Sequence, residues 1–412
     1  MVPRSQSWFC PCSCMGGSSD SEQEHHQLPP NTGGPPADTS NDYQMRPPAT
    51  ARTHMNGVYY PSWLVYKNKT PATLDVDNIT HVFYAFVGVN EDGSLRWVDE
   101  HADLVKDVDG EKGALAALAK LKRQNPRLKT IVSIGGGADS KQFCALAASR
   151  HARETFARQV RGFCDRHELD GVDSMVSVLL SLDFAYFILV DWEHPKDAEE
   201  GRNYVKLLQE CRNALPENDY FLTTALPVGQ YILKHIDLHA VSRLVNYINL
   251  MAYDFTGSWS QVCGHHAQLH SPGGSLQSSH PDLKICATDG VEYVLSRGFP
   301  SRKLVLGIPA YGRYFPRAGG PGYSTEGAGE IDYCEMPDDW VENAVVDEAA
   351  VAAWYVDNGE KGYITFDVPR TVYMKGRYAA HKSLGGLFYW TGTGDKAGEL
   401  SLVVAGRRGL DS

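Results

Sequence analysis

From about residue 55 onward, short apolar or β-branched runs alternate with longer stretches whose apolar residues recur at helical spacing. This alternation is typical of repeated strand–helix units and a parallel sheet. The short runs predict eight strands: Gly57–Tyr60, His81–Val87, Thr130–Ile134, a fourth ending at Glu193, Leu222–Leu226, Tyr247–Tyr253, Leu304–Ala310 and Gly386–Trp390. The helical spacing is clearest at Gly113–Arg123, Ala152–His167 and Gly201–Leu215.

Eight strands with interleaved helices favour a closed (β/α)8 barrel, the TIM barrel architecture, over an open doubly wound sheet. Such a barrel typically needs about 250 residues, and the chain has 412. No GxGxxG sequence follows the first strand, which argues against a dinucleotide-binding fold. The connection between strands seven and eight is longer than one strand–helix unit requires. We therefore predict a barrel over residues 53–405 with a small α+β insertion lobe at about 316–375.

The first 52 residues are rich in Ser, Pro, Gly, Asn and Gln. Such a segment buries too little apolar surface to offset its ordering entropy, so we expect residues 1–52 to form a disordered tail. The start lacks the apolar stretch of a secretory signal peptide, which predicts a cytoplasmic protein or one exported by an unconventional route. Cys10, Cys12 and Cys14 are read most simply as part of an unmodified tail, with acylation as the alternative.

The charge balance argues against a nucleic-acid partner, and the spacing of the cysteines argues against a metal site. A net charge of −11 and a pI near 5.7 argue against nucleic acid, since phosphate binding needs a basic stripe. No transmembrane segment is evident. The nine cysteines show no CxxC pair with metal-ligand spacing, and His265 and His266 lack further ligands, so we predict no metal. We expect a monomer.

Polar and aromatic side chains cluster at the ends of several predicted strands, where the functional residues of such barrels lie. These positions are Asp191 and Glu193 after strand four, Met251, Tyr253 and Asp254 after strand six, Arg313 after strand seven, and Trp390 on strand eight. Because residues two apart in a strand share a face, Asp191 and Glu193 should project together into the barrel mouth. A close carboxylate pair raises one pKa, giving the protonated acid that glycosidic cleavage requires.

These strand ends, together with GVYYPSW at 57–63, HVFYAF at 81–86 and SIGGG at 133–137, resemble glycoside hydrolase family 18, particularly its fungal chitinases. The resemblance spans about 57–395. It implies hydrolysis of chitin by a substrate-assisted, retaining mechanism without metal or organic cofactor. Glu193 would protonate the glycosidic oxygen, and Asp191, beside the buried Asp173, would orient the acetamido group that attacks, with Tyr253 bonding the same group. Substrate contacts would come from Tyr60, Phe86, Gly135, Gly136, Met251, Asp254, Arg313 and Trp390.

Several of these assignments have structural alternatives. Tyr60 and Phe86 could equally be core aromatics, and Trp390 could be a packing residue at a strand end. Arg313 could be an ion-pair partner rather than a sugar ligand. Gly135 and Gly136 could serve close backbone packing, with any sugar contact secondary.

The family signature DGxDxDxE is interrupted in this chain. The sequence runs from Asp170 to Asp173, continues through the apolar stretch 174–189, and resumes with Val190-Asp191-Trp192-Glu193. Deleting 174–189 would restore DGVDVDWE. The extra segment is either a translated in-frame intron or a tolerated natural insertion. If Asp170–Asp173 keeps its place, the insertion must loop out where the strand should continue, and if Phe184–Glu193 forms the strand instead, the buried acidic neighbour is lost. Both cases predict an impaired site.

Two further functions stay open at this point. One is a non-catalytic, lectin-like carbohydrate-binding protein on the same barrel, which the interruption favours. The other is an endoglycosidase that trims N-glycans within the same family, which the motifs of strands one and six disfavour.

Overall fold

The computed structural model describes residues 54–136, 140–175, 195–273 and 280–412, so the predicted tail and its cysteines lie outside the described residues. Eight parallel strands close into a barrel, because the first strand pairs with both the second and the eighth. The strands are β1 Met55–Pro61, β2 His81–Val89, β3 Lys129–Gly135, β4 Gly171–Met175, β5 Phe221–Pro227, β6 Tyr247–Met251, β7 Leu304–Pro309 and β8 Gly386–Trp390. The predicted (β/α)8 barrel is confirmed.

Helices connect the strands along the chain. They are α1 Ala114–Gln124, α2 Ser140–Ala148, α3 Arg150–Arg166, α4 Ala198–Ala214, α5 Gln230–Leu233, α6 Leu238–Ser242, α7 Ala287–Ser296, α8 Asp338–Glu342, α9 Pro369–His381 and α10 Leu402–Leu410. Among the described residues, none of these helices combines the length and the apolarity needed to cross a bilayer.

Capping residues explain why two helices begin earlier than the apolar spacing predicts. The Ser149 side chain accepts a hydrogen bond from the backbone N–H of Ala152, and Asp197 accepts from the N–H groups of Glu199 and Glu200. A side-chain oxygen at this position satisfies backbone donors that have no partner inside the helix. Helices α3 and α4 therefore begin at the residue after each cap.

The barrel strands divide their side chains between two cores. Met55, Tyr59, Phe83 and Phe388 belong to a cluster inside the barrel. Their sequence neighbours, such as Val58, Tyr60 and Val82, belong to the larger cluster between barrel and helices. This separation follows from the two-residue repeat of a strand, which sends alternate side chains to opposite faces. Both faces are buried, as expected for an all-parallel sheet.

Strand β4 is formed by the first half of the interrupted acidic motif. Asp173 pairs with Ser133 and Thr223, and the pairing on both sides continues through Ser174 and Met175. Asp170–Asp173 thus keeps its place in the barrel, and the first two residues of the interruption extend the strand. The predicted strand end at Glu193 lies outside the described residues, which resume at Pro195.

The connection between β7 and β8 carries a five-stranded antiparallel sheet with short helical turns. In sheet order, its strands are Gly329–Asp332, Tyr311–Phe315, Gly362–Phe366, Ala352–Asp357 and Val345–Asp347. The sheet begins at Tyr311, ahead of the boundary at about 316 that the sequence predicts. The reason is that the chain passes directly from β7 into the lobe: Ala310 accepts a hydrogen bond from Tyr333 N–H at 3.0 Å.

A buried ion pair ties the end of this lobe to α9. Lys375 Nζ lies 2.7 and 2.6 Å from the two carboxylate oxygens of Asp367 and 2.6 Å from the carbonyl oxygen of Ala267. The two side chains are 2% and 1% exposed. Removing one partner leaves the other charge buried without compensation, which is far more costly than losing a surface pair.

We expect Lys375→Ala to lower the free energy of unfolding by about 3–5 kcal/mol. Urea denaturation followed by circular dichroism measures the loss. The matched control is Arg317→Ala, which breaks an exposed pair with Glu326 and should cost no more than about 1 kcal/mol. Equal losses in the two variants would contradict the prediction.

Candidate active site

Asp173 is buried inside the barrel and is held by side chains from three other strands. Its Oδ2 accepts hydrogen bonds from the Tyr59 hydroxyl at 2.8 Å and from Ser133 Oγ at 3.0 Å, and its Oδ1 accepts from Thr223 Oγ1 at 2.7 Å. Burial raises the pKa of Asp173, although these three hydrogen bonds oppose the shift. A carboxyl group in this setting can share a proton with a second acid placed beside it.

The structure places Tyr60 as the core-aromatic alternative predicts. The Tyr60 hydroxyl donates to the carbonyl oxygen of Lys69 at 3.1 Å, and its ring packs beside Tyr84 between barrel and helices. Its neighbour Tyr59 faces inward, stacks on Phe83 with 4.8 Å between ring centroids, and accepts a hydrogen bond from Asn249. The tyrosine that belongs to the site is therefore Tyr59, which fixes the orientation of Asp173.

Asp254 follows β6 in a left-handed backbone conformation, with φ of 61°. Its Oδ1 accepts from the Tyr311 hydroxyl at 2.7 Å and from Arg313 Nε and Nη2 at 2.9 and 2.8 Å. Arg313 also pairs with Glu330 at 3.3 Å and is only 3% exposed at its side chain. The Arg313 guanidinium is thus directed at protein carboxylates, as in the ion-pair alternative. Its geometry fits a residue that positions Asp254.

Asp254 stays ionised despite its surroundings. Burial alone would raise its pKa, but His266, Arg313 and Tyr311 together hold the pKa of Asp254 below its ordinary value. His266 Nδ1 lies 3.8 Å from Oδ1, which is too long for a hydrogen bond. The Asp254 side chain keeps 22% exposure, so a hydroxyl group of a ligand can approach the carboxylate.

The lowered pKa makes the contribution of Asp254 to stability depend on pH. A carboxylate with a depressed folded-state pKa stabilises the fold above its ordinary pKa, and the contribution disappears as the pH falls through the folded-state pKa. We expect Asp254→Asn to lose about 1.5–3 kcal/mol of unfolding free energy at neutral pH. The difference from the unaltered protein should shrink as the pH falls below the ordinary aspartate pKa of about 3.9. Urea titrations at both pH values measure it. Asp338→Asn, at a 67% exposed side chain, is the control.

Tyr253 and Met251 both border the interior of the barrel. The Tyr253 ring meets the rings of Tyr311 and Phe388 at 6.2 and 6.3 Å between centroids, edge to face. Burial raises the pKa of Tyr253 well above its usual range, so its hydroxyl remains a proton donor. Met251 is buried in the same interior cluster as Tyr59 and Phe388. The structure therefore brings both predicted residues to the barrel interior.

Aromatic rings form a continuous row from the barrel interior to the surface. Trp390 lies 5.4 Å from Tyr59 and stacks on Phe86 at 5.7 Å between centroids. Phe86 stacks in turn on Trp63 at 5.9 Å, and Trp63 is 39% exposed. Ring faces of this kind provide the apolar surface against which a sugar ring can pack.

Gly135 and Gly136 both have backbone conformations that favour glycine, and Gly136 also packs against Phe86. Both have positive φ, at 116° and 88°, a conformation that glycine adopts without cost. A Cβ on Gly136 would lie 2.9 Å from the Phe86 ring. The contact between Gly136 and Phe86 supports the alternative in which these glycines serve close backbone packing. Gly136 also lies next to the aromatic row.

Asp191 and Glu193, the central pair of the sequence prediction, lie outside the described residues. What the structure does give is the register of β4 on the near side of the interruption. Met175 occupies the strand position two residues beyond Asp173 and pairs with Gly135 and Ala225. In an uninterrupted motif that position belongs to Asp191.

Sequence reasoning missed several residues of this site. Besides Tyr59, they are Ser133, Thr223 and Asn249 inside the barrel, and Trp63 and Trp259 at its rim. Trp259 is 38% exposed and its ring covers the Arg313 guanidinium at 4.9 Å. The two-residue repeat of the strands was the available signal, because Ser133, Asp173 and Thr223 occupy the same level of adjacent strands.

Comparison with known proteins places the chain among barrel-fold glycoside hydrolases. The profile of "Glycosyl hydrolases family 18" matches residues 56–395. The chain is 32% identical over 383 residues to Chitinase 1 of Aphanocladium album, covering 87% of this chain and 85% of the relative. It is 30% identical to Endochitinase 1 of Metarhizium robertsii, covering 85% and 84%.

A solved structure shares the same fold. The Group IV chitinase of Ostrinia furnacalis in complex with allosamidin superposes with a TM-score of 0.72 at 25% identity, covering 85% of this chain and 97% of that one. With the matching profile over most of its length and relatives at 30% identity or more, the chain belongs to glycosyl hydrolase family 18.

Proposed function

We propose that this protein is a chitinase that hydrolyses β-1,4 linkages between N-acetylglucosamine units. The observation that carries the proposal is Asp173, buried inside the barrel and held by Tyr59, Ser133 and Thr223 at the start of the acidic motif. The similar proteins named as chitinases and the solved chitinase complexed with allosamidin support the choice of substrate.

The reaction we propose is substrate-assisted and proceeds with retention at the anomeric carbon. Glu193 protonates the glycosidic oxygen while the acetamido oxygen of the substrate attacks the anomeric carbon and forms an oxazolinium ion. Asp191 orients the acetamido group and balances its positive charge, and Asp173 shares a proton with Asp191. Tyr253 donates a hydrogen bond to the same acetamido group. Water activated by the ionised Glu193 then completes the cycle.

Substrate binding in this proposal uses the row of rings and the ionised Asp254. Trp390 and Phe86 offer ring faces to the sugar, and Met251 lines the interior below them. Asp254 accepts a hydrogen bond from a sugar hydroxyl through its exposed part, while Arg313 holds it in place. Gly136 leaves room for the Phe86 ring, which a Cβ at that position would meet at 2.9 Å, and Gly135 precedes it at the end of β3.

We further infer that the interruption impairs the encoded form. Met175 occupies the register position of Asp191 on β4, and the residues that would complete the motif follow only after the apolar stretch 174–189. A second acid displaced from Asp173 can neither share its proton nor stand beside the acetamido group. A general acid must lie within hydrogen-bond distance of the atom that it protonates.

The second candidate is a chitin-binding protein without turnover. The observation that favours it is that the stacking of Phe86 on Trp63 and Trp390 and the hydrogen bond from Tyr311 to Asp254 all lie in the described part of the chain. Such a protein would hold sugar rings and leave the linkage intact.

The test of the proposed function compares three substrates at equal concentration: a chitin oligomer, a cellulose oligomer and a high-mannose glycopeptide. Both the full chain and a chain lacking residues 174–189 are assayed. We expect shorter N-acetylglucosamine oligomers from the first substrate alone. Proton NMR should detect the β-anomer of the product first. Cleavage of the cellulose oligomer, which has no acetamido group, would contradict the mechanism, and cleavage of the glycopeptide alone would favour an endoglycosidase.

A further inference from the structure

A lysine and a cysteine from distant parts of the chain meet beside the barrel. Lys69 Nζ lies 3.1 Å from Cys334 Sγ and 3.3 Å from a carboxylate oxygen of Asp332. Lys69 follows β1, whereas Cys334 lies in a helical turn of the insertion lobe. Cys334 Sγ also lies 3.7 Å from the carbonyl oxygen of Thr393. The Lys69 side chain is 21% exposed and Cys334 is half-buried, so a small oxidant can approach the pair.

The other described cysteines lack this combination. Cys164, Cys211, Cys263 and Cys286 are buried. Cys144 is half-buried, but its Sγ contacts a carboxylate oxygen of Glu200 at 3.5 Å, and the Lys196 amine binds that same oxygen at 2.9 Å. Among the described residues, Cys334 is thus the cysteine that joins partial exposure to a directly contacting amine.

We propose that Lys69 and Cys334 form an oxidative cross-linking site in which a peroxide closes a covalent sulfur–nitrogen bond between them. The peroxide first transfers one oxygen atom to the Cys334 sulfur, which breaks the O–O bond, gives a sulfenic acid and releases water. The neutral amine of Lys69 then attacks that sulfur. The S–N bond forms as the S–O bond breaks, and the leaving hydroxide takes a proton from nitrogen as a second water.

The pH dependence of this step follows from the charge on Lys69. Burial lowers the pKa of Lys69, but the contacts with Cys334 and Asp332 outweigh burial and raise it. The side chain is therefore an ammonium ion at neutral pH, and only its small neutral fraction can attack. Cross-linking should accelerate as the pH rises toward the alkaline range.

The bond would fasten the lobe to the segment after β1. It closes a long loop of the chain, and a cross-link of this kind stabilises mainly by restricting the unfolded chain. We expect the thermal midpoint to rise by a few degrees. Because Thr393 follows Trp390 closely, the cross-link also restrains one wall of the aromatic row.

The experiment treats the full-length protein with hydrogen peroxide at several pH values and digests it for mass spectrometry. We expect a linked pair of peptides containing Lys69 and Cys334, lighter by two hydrogen atoms than their sum, and lost after dithiothreitol. If Cys334 stays a thiol, or proceeds to sulfinic or sulfonic acid with Lys69 unlinked, the proposal is overturned.

Three variants give the controls. Cys334→Ser and Lys69→Arg should each abolish the linked peptides and the rise in thermal midpoint, since arginine keeps the charge but is not a nucleophile at these pH values. Cys144→Ser should retain both. A linked product that persists in Lys69→Arg would show that another amine reacts. The digest of the unaltered protein decides the matter even where a variant folds poorly.

Discussion

Deleting residues 174–189 should raise the turnover of a chitin oligomer by about 10²–10⁴-fold over the full-length chain, the contribution expected of one positioned general acid. The deletion joins Asp173 directly to Val190 and restores DGVDVDWE. Residues two apart would then place Asp173, Asp191 and Glu193 on one face of β4. Initial rates of product release from an N-acetylglucosamine oligomer measure the gain.

The described structure makes this deletion conservative for the barrel. Asp173 already pairs with Ser133 and Thr223, and the pairing positions of Ser174 and Met175 pass to Val190 and Asp191 without a change of register. The circular dichroism spectrum should therefore be preserved. A full-length chain as active as the shortened one would refute the idea that the interruption impairs the site.

In the shortened chain, Glu193→Gln should reduce kcat by about 10²–10⁴-fold and leave the dissociation constant for the oligomer nearly unchanged. Glutamine keeps the size of the side chain but cannot protonate the glycosidic oxygen, while the binding surface of Trp390 and Asp254 is untouched. Single-turnover kinetics and isothermal titration calorimetry separate the two quantities.

The matched control is Glu199→Gln, which removes a negative charge from an exposed residue in the first turn of α4. It should leave both constants as they were. Turnover that survives Glu193→Gln would reject Glu193 as the acid and, with it, the reading of the motif.

Much of the barrel follows from the sequence because a strand and a helix carry different apolar repeats. The predicted strands at His81, Leu304 and Gly386 begin at the residues where β2, β7 and β8 begin. The first residues of helices were harder to predict. Ser149 and Asp197 fix them by accepting hydrogen bonds from backbone N–H groups, and the spacing of apolar residues carries no information about such bonds.

The site was less predictable, because side-chain direction depends on how the barrel closes. Tyr59 and Tyr60 are adjacent and chemically alike, and the two-residue repeat says that they face opposite ways without saying which faces in. Arg313 lies on a strand of the insertion lobe, and its contact with Asp254 depends on how the lobe packs on the barrel, which the sequence pattern does not show. Asp254, Trp390 and Tyr253 were accessible to prediction because each is a polar or aromatic residue at the end of a strand or within three residues after it.

The pairing of β4 through Met175 has a consequence for any cell that produces both the long and the shortened chain. The ring of strands takes up only the first two residues of the extra stretch, so the two products would share the described barrel strands and the same row of rings. One would cut the polymer and the other would only hold on to it. On a common chitin surface they would compete for the same binding sites, and the ratio of the two products would govern the rate at which the polymer is hydrolysed.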